Sequence, residues 1–169
     1  MPNRERGVRR VVEQFTRGPR QPQPWRQEEF DARVRETLAG QHFAKTLGIE
    51  PVSIEYGCVS LRMPVRPLVF QQYGYVHGGA IGALMDTATG MCSVTMVGPD
   101  EMALTSELKI NFLSPGEGDF LIATARVIKD GKRLIIMEAE ATAVLTDGQT
   151  RDVAHMTTTY IRFPKPTGD

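Results

Sequence analysis

One carboxylate interrupts the longest apolar segment of the chain. In residues 77–97, aliphatic and sulfur-containing side chains cover nearly every face of a helix, which Gly98 and Pro99 end. Asp86 lies in the middle of this segment. Burying an ionised carboxylate costs several kcal/mol unless a partner compensates. Asp86 is therefore either a functional group or a carboxylate that is capped by a donor or reaches solvent at a subunit boundary. We favour the functional interpretation.

A His-Gly-Gly triplet stands where this helix is expected to begin. Gly78 and Gly79 would expose unpaired backbone N–H groups at the positive end of the helix dipole. Such donors can stabilise an oxyanion, although a Gly-Gly pair also serves close packing or a tight turn. His77 is a candidate general base, but a ring fixed by a backbone hydrogen bond is the favoured interpretation.

Two side-chain amides, Gln71 and Gln72, lie just upstream of the triplet. An amide can donate to a developing oxyanion or orient a water molecule without titrating. Taken alone, an ordinary loop glutamine is the simpler interpretation of either residue.

Composition excludes several classes of function. The chain has 169 residues, with 20 Lys and Arg against 20 Asp and Glu, so it carries one ordinary domain and no basic field for nucleic acid. The N-terminal 15 residues are too charged for a signal peptide, and no apolar run reaches the ~20 residues of a membrane span. We expect a cytoplasmic protein with no membrane or nucleic-acid partner.

The two cysteines do not form a metal-binding or disulfide pattern. Cys58 and Cys92 each lie in an apolar run, with no CxxC spacing and no His/Cys cluster. We interpret both as reduced core residues and expect no metal.

The order of elements predicts an α+β fold. Residues 1–25 form an arm and a proline-rich linker, and residues 26–169 form the domain. Helical spacing over residues 27–47 ends at Gly48, placed like a C-cap. A hairpin, the buried helix and then four β segments follow, the segments spanning roughly 102–113, 119–129, 132–145 and 151–163. A curved antiparallel sheet around one long helix satisfies this layout.

The first strand after the buried helix alternates in character. Leu104, Leu108, Ile110 and Phe112 alternate with the polar residues Thr105, Glu107, Lys109 and Asn111, with one break in phase at Ser106. The pattern predicts one apolar and one polar face.

The segment QQYGYVHGGAIGALMD (71–86), followed by TATGMCSVTM, resembles the signature of the PaaI-type hotdog thioesterases. The similarity continues through KINFLSPGEGD and VIKDGKRL and covers roughly residues 44–163. The combination of HGG with an acidic residue seven positions after its second glycine is more specific than HGG alone.

This resemblance implies a hotdog fold and hydrolysis of an acyl-CoA thioester without a metal or cofactor. The carboxylate that attacks the thioester or activates water falls on Asp86, and the backbone donor to the thioester carbonyl falls on Gly78. The amide six residues before His77 falls on Gln71, where many members have Asn. The remaining residues expected to contact substrate are Gly79 and a hydroxyl on the following strand, at Thr105 or Ser106.

Basic side chains cluster in the turn around residue 131. Lys132 and Arg133, with Lys129, are the densest basic group beyond the arm, so we expect them to bind the phosphates of CoA.

Gly78 and Asp86 are eight residues apart on one helix, about 12 Å at ~1.5 Å per residue. One thioester cannot contact both, so we expect a homo-oligomer, a dimer or a dimer of dimers, that shares its sites.

Two other functions are compatible with this fold. A hotdog dehydratase or hydratase uses a His and an acid, but its His typically lies in an HFP context, whereas His77 precedes two glycines. A non-catalytic acyl-CoA binding protein is the second alternative, because function resides in sites and not in folds. The acyl group stays open between small-to-medium and aromatic, and acyl-carrier protein is an alternative carrier.

Overall fold

A computed structural model describes residues 6–7 and 27–166. Apart from residues 6–7, the predicted arm and linker lie outside the described residues. The helices are α1 (Gln27–Gly40), α2 (His42–Leu47) and α3 (Gly78–Met96), with a short 3-10 helix at Pro67–Val69. The strands are β1 (Glu50–Glu55), β2 (Cys58–Pro64), β3 (Glu101–Phe112), β4 (Phe120–Asp130), β5 (Leu134–Val144) and β6 (Thr150–Pro164).

The predicted helix over residues 27–47 is divided into α1 and α2. Gln41 between them has extended backbone angles, φ −84° and ψ 104°. Gly48 caps α2 as expected, with φ 71° in the left-handed region that favours glycine. Its N–H donates to the carbonyl of Lys45, and the N–H of Ile49 donates to that of Ala44, so the last carbonyls of the helix are satisfied.

The six strands form one antiparallel sheet in the order β1-β2-β4-β5-β6-β3. The hairpin and the four later β segments predicted from the sequence are confirmed. The sheet does not close, and β1 and β3 are its edges. α3 contacts β2, β3, β4, β5 and β6, and α1 packs against α3. This is the hotdog arrangement that the sequence predicted.

Burial of α3 follows the apolar pattern of its sequence. Gly79 is the only residue of α3 that is exposed. Cys92 on α3 and Cys58 on β2 are reduced cysteines buried in the core. Burial raises the pKa of Cys58 to about 11 and also raises the pKa of Cys92, so both thiols stay protonated and unreactive at neutral pH.

A bulge in β3 changes which residues of that strand share a face, so the predicted faces need correction. The β3–β6 register shifts between Thr105 and Glu107, at the position where the sequence breaks phase. A bulge adds one residue and reverses the alternation beyond it. Thr105 before the bulge bonds to α3, and Ile110 and Phe112 after it also approach α3. The prediction that Thr105 lies on a polar face opposite Ile110 is therefore wrong.

Two glycines on α3, Gly78 and Gly82, permit the close approach of β3. A Cβ on Gly78 would lie 3.1 Å from Phe112 Cζ, and a Cβ on Gly82 would lie 3.2 Å from Ile110 Cδ1. A Cβ on Gly90 would lie 3.4 Å from Tyr160 Oη. These glycines recur with Asp86 at intervals of four residues, so the four positions form one stripe along the helix.

Candidate active site

Asp86 is half-buried on α3, and two strands supply hydroxyl groups to its carboxylate. Thr105 Oγ1 on β3 donates to Asp86 Oδ1 at 2.9 Å, and Tyr160 Oη on β6 lies 3.2 Å from the same oxygen. Neither Oδ2 nor Oδ1 is paired with a charged side chain in residues 27–166. The carboxylate is thus held by hydroxyl groups.

Tyr160 contacts the Asp86 carboxylate, and the sequence did not predict this contact. It is 74 residues from Asp86, and no motif or spacing connects the two. Its ring is 3% exposed, and burial, followed by the negative charge of Asp86, raises its pKa. The phenol therefore keeps its proton and acts as a hydrogen-bond donor.

The His-Gly-Gly triplet forms the N-terminus of α3. His77 is the N-cap, and its Nδ1 accepts the Gly79 N–H at 2.8 Å. Because a backbone N–H only donates, Nδ1 is the acceptor and the proton of the neutral ring is on Nε2. The ring is thus fixed by a backbone hydrogen bond, the alternative that the sequence favoured over a general base.

The hydrogen bond to His77 makes the N–H groups of Gly78 and Gly79 different. The Gly79 N–H is occupied by His77, whereas the Gly78 N–H donates to no acceptor in the described part of the chain. Gly78 is the first residue of α3, where N–H groups have no intrahelical partner and the helix dipole is positive. Of the two, Gly78 is the one that can donate to a bound carbonyl oxygen.

Gln71 lines the same cleft as Gly78, and its amide is oriented by a backbone hydrogen bond. Its Oε1 accepts the N–H of Tyr73 at 2.5 Å, which leaves the NH₂ group as a donor. Gln71, Gly78 and Phe112 line a cleft of about 390 Å³. His77 and Gly79 instead line a separate apolar cleft of about 310 Å³ with Phe43, Leu68 and Phe70 among its walls. The structure therefore groups Gln71 with Gly78 and separates them from His77 and Gly79.

Within one chain, the Asp86 carboxylate does not lie close to Gln71 and Gly78. Eight residues of regular helix separate Gly78 from Asp86, a rise of about 12 Å. The structure thus contains two clusters of polar groups: the donor cluster of Gln71 and Gly78, and the carboxylate cluster of Asp86, Thr105 and Tyr160.

The other predicted site residues lie apart from both clusters. Ser106 is exposed, and its hydroxyl donates to the carbonyl of Thr159 at 3.0 Å. Lys132 and Arg133 are exposed in the β4–β5 turn. The register pairs Leu134 with Ile161, and Ile161 with Leu104, so this turn lies at the same end of the sheet as Thr105.

Residues 6–7 and 27–166 contain no group of three or more His, Cys, Asp or Glu that is arranged to hold a metal ion. Within the same residues, none of the helices has the length and apolar character needed to cross a lipid bilayer.

Known proteins share both the sequence and the fold. Residues 73–144 match the model of the thioesterase superfamily. A 1,4-dihydroxy-2-naphthoyl-CoA hydrolase of Listeria monocytogenes is 33% identical over 98 residues, which are 58% of this chain and 80% of that protein. The chain belongs to the thioesterase superfamily. Its relatives there are named thioesterases or hydrolases, and the protein is an enzyme of this class.

Solved structures support the same placement. A thioesterase family protein of Silicibacter pomeroyi superposes with a TM-score of 0.78 at 33% identity, covering 80% of this chain and 98% of that one. The Escherichia coli acyl-coenzyme A thioesterase PaaI is 34% identical over 98 residues, 57% of this chain and 68% of that protein. Its structure superposes with a TM-score of 0.71, covering 81% and 95% of the two chains. The expected PaaI-type resemblance is therefore confirmed.

Substitutions of His77 distinguish two roles for this residue, a helix N-cap and a general base. We expect His77→Ala to lower the free energy of unfolding by about 1 kcal/mol, since alanine cannot accept the Gly79 N–H. His77→Asn should retain both stability and thioester hydrolysis, because asparagine is a good N-cap. Thermal or denaturant unfolding and steady-state kinetics measure the two effects. A general base would behave differently: both variants would then lose about 100-fold or more in kcat.

Proposed function

We propose that the protein hydrolyses the thioester of a small-to-medium or aromatic acyl-CoA, with Asp86 as the catalytic carboxylate. Water adds to the thioester carbonyl carbon, the C–S bond breaks, and the products are a carboxylic acid and the CoA thiol. The observation that supports this role is that Asp86, the only charged residue of α3, receives two hydroxyl donors on one oxygen. Such donors hold the carboxylate in one orientation.

Asp86 serves as general base or as nucleophile. As a base, its carboxylate accepts a proton from the attacking water. As a nucleophile, it attacks the carbonyl carbon and forms an anhydride that water then cleaves. Single turnover in ¹⁸O-labelled water separates the two, since only the nucleophilic route leaves label in the enzyme carboxylate.

Gly78 and Gln71 are the proposed donors to the thioester oxygen. Negative charge develops on that oxygen as the carbonyl carbon is attacked, and oriented donors stabilise it. The Gly78 N–H at the start of α3 and the NH₂ group of Gln71 are both directed by their local structure and line one cleft.

A second copy of the chain would complete the site. Asp86 must meet Gly78 and Gln71 of a partner subunit, because its own Gly78 is about 12 Å away. β3 is an edge strand, and apolar side chains along it are exposed: Leu104 53%, Leu108 42% and Phe112 56%. An apolar edge of this kind favours pairing with another chain, most simply across a two-fold axis.

Two observations bear on the substrate. The Listeria relative is named for an aromatic acyl-CoA, which favours an aromatic acyl group here. Lys132 and Arg133 are proposed to bind the phosphates of the CoA nucleotide, since their turn lies at the Asp86 end of the sheet.

Replacing Asp86 tests the central role. We expect Asp86→Asn to lower kcat by at least ~100-fold and to leave the thermal transition near that of wild type. Asp100→Asn, at an exposed carboxylate after α3, is the control and should keep wild-type kcat. Loss of thermal stability with kcat per folded molecule unchanged would mean that Asp86 is only structural.

Charge reversal tests the nucleotide site. The double variant Lys132→Glu, Arg133→Glu should raise KM for acyl-CoA roughly 10-fold, because each residue would repel a phosphate instead of binding it. KM for acyl-pantetheine, which lacks the nucleotide, should stay near wild type. Lys45→Glu, at an exposed lysine of α2, is the control. An equal rise for both substrates would contradict the assignment.

Mixed subunits test the shared site. Asp86→Asn and Gln71→Ala are each expected to be inactive, and the two are unfolded together and refolded as a mixture. In a mixed dimer with shared sites, one site carries both lesions and the other carries neither. Random pairing puts half the molecules in mixed dimers with half their sites intact, so about a quarter of wild-type activity should return.

The alternative outcome of this experiment is equally definite. If each chain owns a complete site, every site in the mixture carries one lesion and activity stays at the level of the separate variants. The assignment of Gly78, Gln71 or Asp86 is then wrong. Either variant refolded alone is the control for recovery of folded protein.

A further inference from the structure

Tyr160 and Thr105 approach Asp86 as a cross-strand pair. They are direct partners in the β3–β6 ladder, so their side chains reach α3 from neighbouring strands. Both hydroxyls lie on Oδ1, at 2.9 Å from Thr105 and 3.2 Å from Tyr160. Within residues 6–7 and 27–166, Oδ2 receives no hydrogen bond. The two oxygens of Asp86 therefore differ in their surroundings.

The single proton of Tyr160 has three acceptors within reach. Its Oη lies 3.1 Å from Thr89 Oγ1, 3.1 Å from the Asp86 carbonyl oxygen and 3.2 Å from Asp86 Oδ1. A hydrogen bond to an ionised carboxylate is about twice as strong as one to a neutral group, so the proton goes to Oδ1. The hydroxyl of Thr89 also has three acceptors within reach: the phenol oxygen at 3.1 Å, and the carbonyl oxygens of Asp86 and Met85 at 3.0 and 3.2 Å.

We propose that Tyr160 is a positioning residue for the catalytic carboxylate: together with Thr105 it holds Oδ1 of Asp86 and leaves Oδ2 for the substrate or the attacking water. This inference rests on the proposed function of Asp86. The phenol also contacts the Thr89 hydroxyl, at 3.1 Å. Tyr160 makes no contact with the reacting atoms in this scheme and acts only through Asp86.

Charge explains why a tyrosine suits this position. Its raised pKa keeps the phenol protonated throughout the neutral range, so Tyr160 donates at every pH at which the enzyme would work. No charged side chain in the described residues forms an ion pair with Asp86. The two hydroxyl donors are therefore the groups that orient the carboxylate, and removing one leaves Oδ1 held by a single donor.

The test compares Tyr160→Phe with wild type in kcat and KM for an aromatic acyl-CoA. We expect kcat to fall about 10-fold and KM to change less than about 2-fold, because a carboxylate that is no longer held is misaligned for the reaction while substrate binding is kept. Tyr56→Phe removes the hydroxyl of another buried tyrosine, in the turn between β1 and β2. This control should keep the kcat and KM of wild type.

The other outcomes overturn one claim at a time. A kcat per folded molecule that matches wild type, with or without a lower Tm, removes the positioning role of Tyr160. If Tyr160→Phe does not fold, Thr89→Val, which removes a hydroxyl in contact with the Tyr160 phenol, is judged by the same criterion. An Asp86→Asn variant with wild-type kcat removes the proposed function itself, whatever Tyr160→Phe does.

Discussion

The close contact of α3 with β3 and β6 is the constraint on which the rest of the structure depends. Gly78, Gly82 and Gly90 lie against Phe112, Ile110 and Tyr160, and at the first two positions a Cβ would meet its neighbour within 3.1 and 3.2 Å. Asp86 occupies the remaining position of this stripe. The approach that Gly78 and Gly82 permit brings β3 and its Thr105 hydroxyl close to the short Asp86 side chain, and the Tyr160 hydroxyl reaches the same oxygen from β6.

This contact has an energetic cost that the core offsets. Glycine inside a helix is less favourable than alanine by about 0.5–1 kcal/mol, and Gly82 and Gly90 are both interior to α3. Along the rest of its surface α3 buries large side chains such as Leu84, Met85 and Met91. Fully burying one such side chain contributes about 1.5–3 kcal/mol. The helix thus tolerates glycine where the strands must approach, because its other faces are apolar.

The bulge at Ser106 is a second local feature with consequences for the site. Without it, Thr105 would lie on the opposite face of β3 from Ile110, as simple alternation requires. With it, Thr105 before the bulge and Ile110 and Phe112 after it all approach α3. The same strand therefore packs against the helix and also supplies a polar group to Asp86. Bulges often redirect a side chain in this way next to active sites.

The sequence by itself determined the elements and the strongest candidate residues. Apolar periodicity identified α3 and the strands, and the isolated acid in an apolar helix identified Asp86, because both signals are local along the chain. The His-Gly-Gly triplet indicated the helix start for the same reason. Only the tertiary structure decided that His77 occupies the Gly79 N–H, that Thr105 and not Ser106 bonds to Asp86, and that Tyr160 joins them. These contacts depend on strand register, on one bulge and on residues far apart in the chain, which no spacing in a single sequence encodes.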